Sequence, residues 1–109
     1  MKLPITTLIA TEKLTNYLLV PRKRNDKSGW LAKAGYILTN WHVLETYLRN
    51  QILSEHAVPT ERTEFGQMYE IRGRLIGQNG KCLRVLTIWM TDRETGNTRF
   101  ITMYPDKLR

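Results

Sequence analysis

Arg72 and Arg74 occupy alternate positions in the stretch RGRLIGQNGKCLRVLTIWM, residues 72–90. A strand turns alternate side chains to one face, so the two guanidinium groups are expected side by side. Such a pair can hold phosphates, and threonines and aromatics beside it can orient and stack bases. Thr87 and Trp89 in VLTIWM, and Thr102 and Tyr104 in TRFITMYP, are residues of those types in neighbouring strand-like runs. The same pattern also describes an ordinary solvated face, with Arg72 and Arg74 paired to Glu70 and Glu64. The histidines offer proton chemistry but no motif: His42 falls in the first turn of a helix and His56 just past its end.

These residues need elements to position them. Thr11 is expected to cap a short helix with Leu14, Tyr17 and Leu18 on one side, stopped by Pro21. A basic loop, RKRNDK at 22–27, follows, and SGWLAKAG forms a second short helix ended by Gly35. Asn40 caps the longest helix, roughly 41–54, whose Trp41, Leu44, Leu48 and Ile52 recur at buried-stripe spacing. SEHAVPTERTEF reads as a polar connection broken by Pro59. From Phe65 the pattern turns to strands, with Asn79-Gly80 as a two-residue hairpin turn and DRETGN as a second turn. The expected fold is α+β: N-terminal helices (about 11–55) packed on one face of a small antiparallel β-sheet (about 65–105). The sheet is a three-stranded meander, or four-stranded if residues 3–9 join it, in one domain spanning 1–109.

A two-residue turn at Asn79-Gly80 sets Arg74 opposite Val85 and Arg72 opposite Thr87. With Asp92 opposite Asn97 in the next hairpin, Thr87 faces Thr102, Trp89 faces Phe100 and Met90 faces Arg99. One face then gathers Ile71, Leu75, Leu86, Ile88, Ile101 and Met103, for the helices to cover. The other gathers Glu70, Arg72, Arg74, Thr87, Trp89, Thr102 and Tyr104 as an open surface. A one-residue slip exchanges these sets and buries two arginines, which is costly.

The totals narrow the function classes. Seventeen Lys and Arg against ten Asp and Glu give a net charge of +7, which suits an anionic partner, nucleic acid first, or simply solubility. The single cysteine, Cys82, excludes an internal disulfide and reads as a small strand hydrophobe. Two histidines and one cysteine fall short of the four Cys and His ligands of a structural zinc site, and no phosphate-cradling glycine loop or carboxylate pair at useful spacing occurs. No cofactor and no metal are expected. The apolar start MKLPITTLIA is too short to span a membrane and lacks a small-residue cleavage pattern, so a cytoplasmic protein without membrane association is expected. Trp30, Trp41 and Trp89 read first as packing residues.

KLTNYLL (13–19), DKSGWLAKAGY (26–36), GQMYEIRGRLIGQNGK (66–81), RVLTIW (84–89) and RFITMYP (99–105) together resemble an uncharacterised bacterial family, common in cyanobacteria. Its members occur alone and at the C-terminal tips of polymorphic toxins. Its pattern has a lysine before a short helix, here Lys27, then Y-x-V-x-G before the turn and a threonine before the buried tryptophan. It closes on R-[FL]-[IV]-T-x-Y-P. The helices-then-sheet order is similar to the barnase–EndoU–colicin–RelE ribonuclease superfamily, an analogy of fold. The resemblance implies attack of a ribose 2′-OH on its own phosphate, with Lys27, Thr87, Thr102 and Tyr104 as site residues and Arg99 binding RNA. Arg72 and Arg74 join as RNA-binding residues from the face argument. His56 lies near where some relatives carry a histidine and is a further catalytic candidate; without it, Lys27 and Tyr104 handle the protons.

Two readings remain open. One is a toxin-type, metal-independent ribonuclease with an antitoxin or immunity protein as partner. The other is a non-catalytic module that binds RNA or a protein, or pairs as a homodimer, through the same sheet face.

Overall fold

The computed structural model describes residues 1–24 and 26–107. Helix α1 begins as an α-turn at Thr11–Lys13 and widens into a π-helical turn over Leu14–Leu18, where the Leu19 N–H donates to the Leu14 carbonyl. Thr11 is the first helical residue rather than its cap. Helix α2, Ser28–Ala32, starts where Asp26 Oδ1 accepts from both the N–H and the hydroxyl of Ser28. Those bonds hold the Asp26 carboxyl below its ordinary range. Gly35, at φ 87°, ends the segment, with the Tyr36 N–H reaching back to the Leu31 carbonyl. Helix α3, Trp41–Tyr47, continues as a π-helical segment over Leu48–Leu53. Asn40 caps the 3₁₀ turn before it, accepting the Ile37 N–H at 2.9 Å.

Four strands follow, β1 (Val58–Arg62), β2 (Gly66–Ile76), β3 (Cys82–Asp92) and β4 (Thr98–Pro105), antiparallel and in chain order. The stretch expected as a polar connection is therefore the edge strand β1. All five of its residues are exposed, so no alternation marks it, and Pro59 is tolerated because an edge strand need not pair both sides. Residues 3–9 do not form a strand of the meander; Leu8 makes a single parallel bridge to Arg99 beside β4.

The hairpin register differs from expectation by one residue. Gly77 pairs with Lys81, leaving Gln78, Asn79 and Gly80 as a three-residue loop with Gly80 at φ 83°. Asn79 accepts the Lys81 N–H and donates to the Lys33 carbonyl, tying the loop to the end of α2. Arg74 thus faces Arg84, Arg72 faces Leu86 and Ile71 faces Thr87. The slip falls on β3, so the arginines stay outside while Thr87 and Trp89 turn inward and Leu86 and Ile88 turn to the open face. A bulge between Ile88 and Trp89 then shifts β4: Trp89 faces Phe100, but Ile88 faces Thr102 and Leu86 faces Tyr104. Thr102 and Tyr104 return to the open side, and Arg99, opposite Met90, joins them there.

The helices cover the inner face. Ile71, Leu75, Val85, Trp89, Phe100 and Met103 pack with Leu14, Leu18, Leu44, Leu48 and Ile52 in one core. Trp89 is fully buried and meets the Phe100 ring edge-on at 5.1 Å, and each such side chain contributes about 1.5–3 kcal/mol. Gly73 lets α3 approach, since a Cβ there would stand 3.1 Å from Ile52 Cδ1. Gly77 is tighter still, because a Cβ would overlap the Ala34 carbonyl. Cys82, expected as a strand hydrophobe, is exposed at the start of β3.

Candidate functional site

Lys27 is a buried lysine, 7% exposed, at the mouth of α2. The Asp26–Ser28 bonds fix the chain there, and the side chain runs inward to the outer strand β4. Its ammonium donates to Tyr17 Oη at 2.8 Å and to Thr102 Oγ1 at 3.3 Å. It also lies over the Tyr104 ring, 4.5 Å from the centroid, and 5.0 Å from that of Tyr17. No carboxylate pairs with it among the described residues. A buried cation without an anion is held by its hydrogen bonds and ring faces alone.

Tyr17 takes its position from the π-helical turn of α1, a geometry that recurs at functional sites. Its hydroxyl lies 3.4 Å from Thr102 Oγ1. The hydrogen bonds from Lys27 and Thr102, helped by the charges of Lys27 and Arg22, hold its phenol below the usual value of 10.0. Arg22 sits over the ring at 4.9 Å. The half-buried Tyr17 and the exposed Tyr104 thus present two phenols above one lysine. That arrangement can exchange protons and draw an anion to the same spot.

Of the expected catalytic residues, the structure brings Lys27, Thr102 and Tyr104 together. Thr87 is not among them. It is fully buried on the core face, donates to the Ile71 carbonyl at 2.9 Å and accepts from Trp89 Nε1 at 2.7 Å. The register of the hairpin is the physical reason. His56 is also elsewhere: it precedes β1, at the far edge of the sheet, exposed and 2.7 Å from the Met1 amine through Nδ1. His42 is exposed beside the Trp41 ring.

The arginines share the open face. Arg72 binds Asp106 at 2.6 Å and lies 4.0 Å from Glu70, so one of the expected acidic partners is present and a second, Asp106, was not anticipated. Arg74 is exposed opposite Arg84, and neither is in an ion pair among the described residues. Arg99 lies along the same face, six residues up the sheet from the Arg84 row, or roughly 20 Å at about 3.4 Å per residue. The Tyr17–Lys27 cluster falls between these two basic ends. Half-buried Leu86 and Ile88 form an apolar stripe beside it.

Tyr17, Arg22, Arg84 and Asp106 escaped the sequence reading. Tyr17 keeps helical spacing with Leu14 and Leu18 and so reads as core. In the expected register Arg84 fell opposite Leu75, on the wrong face. Among the described residues no group of His, Cys, Asp and Glu is placed to hold a metal ion, and no helix is long and apolar enough to cross a membrane.

No curated protein matches the sequence. The fold is similar to a chain in the structure of a contact-dependent growth inhibition toxin–immunity protein complex from Klebsiella pneumoniae 342. The TM-score is 0.65 at 19% identity, covering 92% of this chain and 100% of that one, so the likeness is one of fold. By sequence, the model of a domain of unknown function, DUF6883, matches residues 4–107, and the chain belongs to that family.

Proposed function

We propose that the protein is a metal-independent endoribonuclease of the toxin type, working on the open sheet face. The observation that carries this reading is Lys27, buried with no carboxylate partner among the described residues and hydrogen-bonded to a phenol whose pKa it lowers. In the proposed step the Tyr17 phenolate takes the proton of a ribose 2′-OH. The 2′-oxygen forms a bond to its own phosphorus as the P–O5′ bond breaks. Tyr104 gives its proton to the departing 5′-oxygen, leaving a 2′,3′-cyclic phosphate and a 5′-OH. Lys27 acts through Tyr17, favouring the phenolate, and its charge offsets the negative charge gathering on the phosphorane. Thr102 orients both side chains. Arg72, Arg74 and Arg99 bind flanking phosphates along the sheet.

The fold likeness to a chain from a toxin–immunity complex supports a toxin- or immunity-type module; on the toxin reading, a cognate antitoxin or immunity protein covers the face in the cytoplasm. The test is incubation of the purified protein with total RNA and tRNA in EDTA, beside a Lys27→Ala, Thr102→Ala control. Cleavage with cyclic-phosphate ends, lost in the control, is expected. Intact RNA in both samples would sink the nuclease reading.

The apolar stripe of Leu86 and Ile88 favours a second reading, a non-catalytic module that binds a protein partner or a second copy of itself. Under that reading light scattering shows a dimer, or a partner binds with no RNA cleaved, and Ile88→Asp abolishes the association.

A further inference from the structure

The lower end of the open face carries a cleft and an arginine, Arg84, to which the proposed chemistry gives no role. Arg72, Arg74 and Arg84 line a cleft of about 330 Å³ with Gly73, Glu55 and Asp106. Arg74 and Arg84 are direct cross-strand neighbours, both exposed. Like charges directly opposite each other destabilise a strand pair, so this pairing is unfavourable until an anion lies between them. Arg72 is braced by Asp106 at 2.6 Å, which holds its guanidinium at the cleft wall.

The backbone adds donors. β1 pairs with β2 only as far as Glu70, so among the described residues no strand lies beside the Ile71–Ile76 edge of β2. At Ile76 the side chain of Gln51 occupies that edge, meeting both the N–H and the carbonyl. The two-residue alternation of an antiparallel ladder turns the N–H groups of Arg72 and Arg74 to the same edge.

We infer that Arg74 and Arg84, with Arg72, form a phosphodiester-binding subsite that anchors the RNA backbone to one side of the Tyr17–Lys27 cluster. This rests on the RNA reading above and adds Arg84 to it. Glu55 faces the cleft as an unfavourable charge and limits how tightly the anion is held.

The experiment measures binding of a 2′-O-methyl oligoribonucleotide, which has no free 2′-OH to react, by fluorescence anisotropy across a salt series. Arg74→Ala with Arg84→Ala is expected to weaken binding at least tenfold at low salt. It should also reduce the log–log salt slope by about 1.4, at roughly 0.7 per single-strand phosphate contact. Glu55→Gln is expected to tighten binding. The Arg74→Ala, Arg84→Ala variant should melt no lower than the parent chain, which shows that any loss is not unfolding. An unchanged slope and affinity in the folded double variant overturns the subsite. So does a melting rise with inorganic phosphate that is lost in the variant while oligonucleotide binding is not, since that marks a site for free phosphate. If ordinary RNA stays intact yet the slope falls, the nuclease reading fails and the subsite stands. If RNA is cleaved and the slope does not move, the subsite alone fails.

Discussion

At the scale of single side chains, the proposed chemistry turns on Tyr17 and the cation beneath it. Tyr17→Phe removes the titrating hydroxyl but keeps the ring that packs against the core; cleavage per folded molecule is expected to fall about 10²–10⁴-fold, and loss of the shorter Lys27 hydrogen bond to cost about 1–3 kcal/mol. Timed RNA digests beside thermal melts check this. The pH profile carries a sign. Because the Lys27 hydrogen bond lowers the phenol below 10.0, the phenolate appears at lower pH than for a free tyrosine. The rate should therefore rise with pH below that value, and in Lys27→Ala the rise should move up toward it. A pH–rate profile in which both limbs coincide would remove Tyr17 as the proton acceptor. Thr87 gives the contrast. Thr87→Val keeps its shape but strips Trp89 Nε1 of its acceptor, at a cost of about 1–3 kcal/mol in a denaturant melt. Activity per folded molecule should stay level, since Thr87 supports the sheet and lies outside the proposed site.

At the scale of elements, the β2–β3 hairpin decides which side chains meet. Its three-residue loop puts Gly80 in the left-handed region and ties Asn79 to α2, so the register is held from both the turn and the helix. Gly77 is the close contact in that arrangement. Gly77→Ala forces the strand end away from the Ala34 carbonyl and should cost about 1–3 kcal/mol, read as a lower denaturant midpoint with an unchanged slope. The two arginines of β2 should separate in the same experiment. Arg72→Ala removes a charge-assisted bond to a nearly covered carboxylate and costs about 1–3 kcal/mol. Arg74→Ala, with no ion pair among the described residues to lose, should leave the midpoint where it was.

At the scale of the whole molecule, the +7 charge is not spread evenly in its consequences. The open face carries arginines at both ends, a buried lysine between them and an apolar stripe alongside. RNA lying along it should show strong salt dependence. Four single-strand phosphate contacts correspond to a loss of about 50-fold in affinity between 50 and 200 mM salt. Filter binding at the two salt concentrations checks the number, and a flat response would mean the charge serves solubility alone. The same face is the surface an immunity-type partner would have to cover to silence the proposed activity, so partner and RNA should compete.

By itself the sequence determined the order of helices before sheet, the antiparallel meander and the outward turn of Arg72 and Arg74. Those features follow from local periodicity and from the cost of burying two guanidinium groups, both of which are written into short stretches of chain. It also put Lys27, Thr102 and Tyr104, which the structure brings together, among the candidate site residues, though through resemblance to a family and not through spacing. Tertiary structure alone decided the rest. The register depends on whether Asn79 and Gly80 make the whole turn or its last two residues, and one residue of difference sends Thr87 and Trp89 to the core and Leu86 to the surface. β1 carries no alternation because none of its side chains is buried, so only its pairing with β2 reveals it. Tyr17 meets Lys27 and Thr102 only once α1 and α2 pack beside β4, and no local pattern encodes the contact of Tyr17 with Thr102, 85 residues away in the chain.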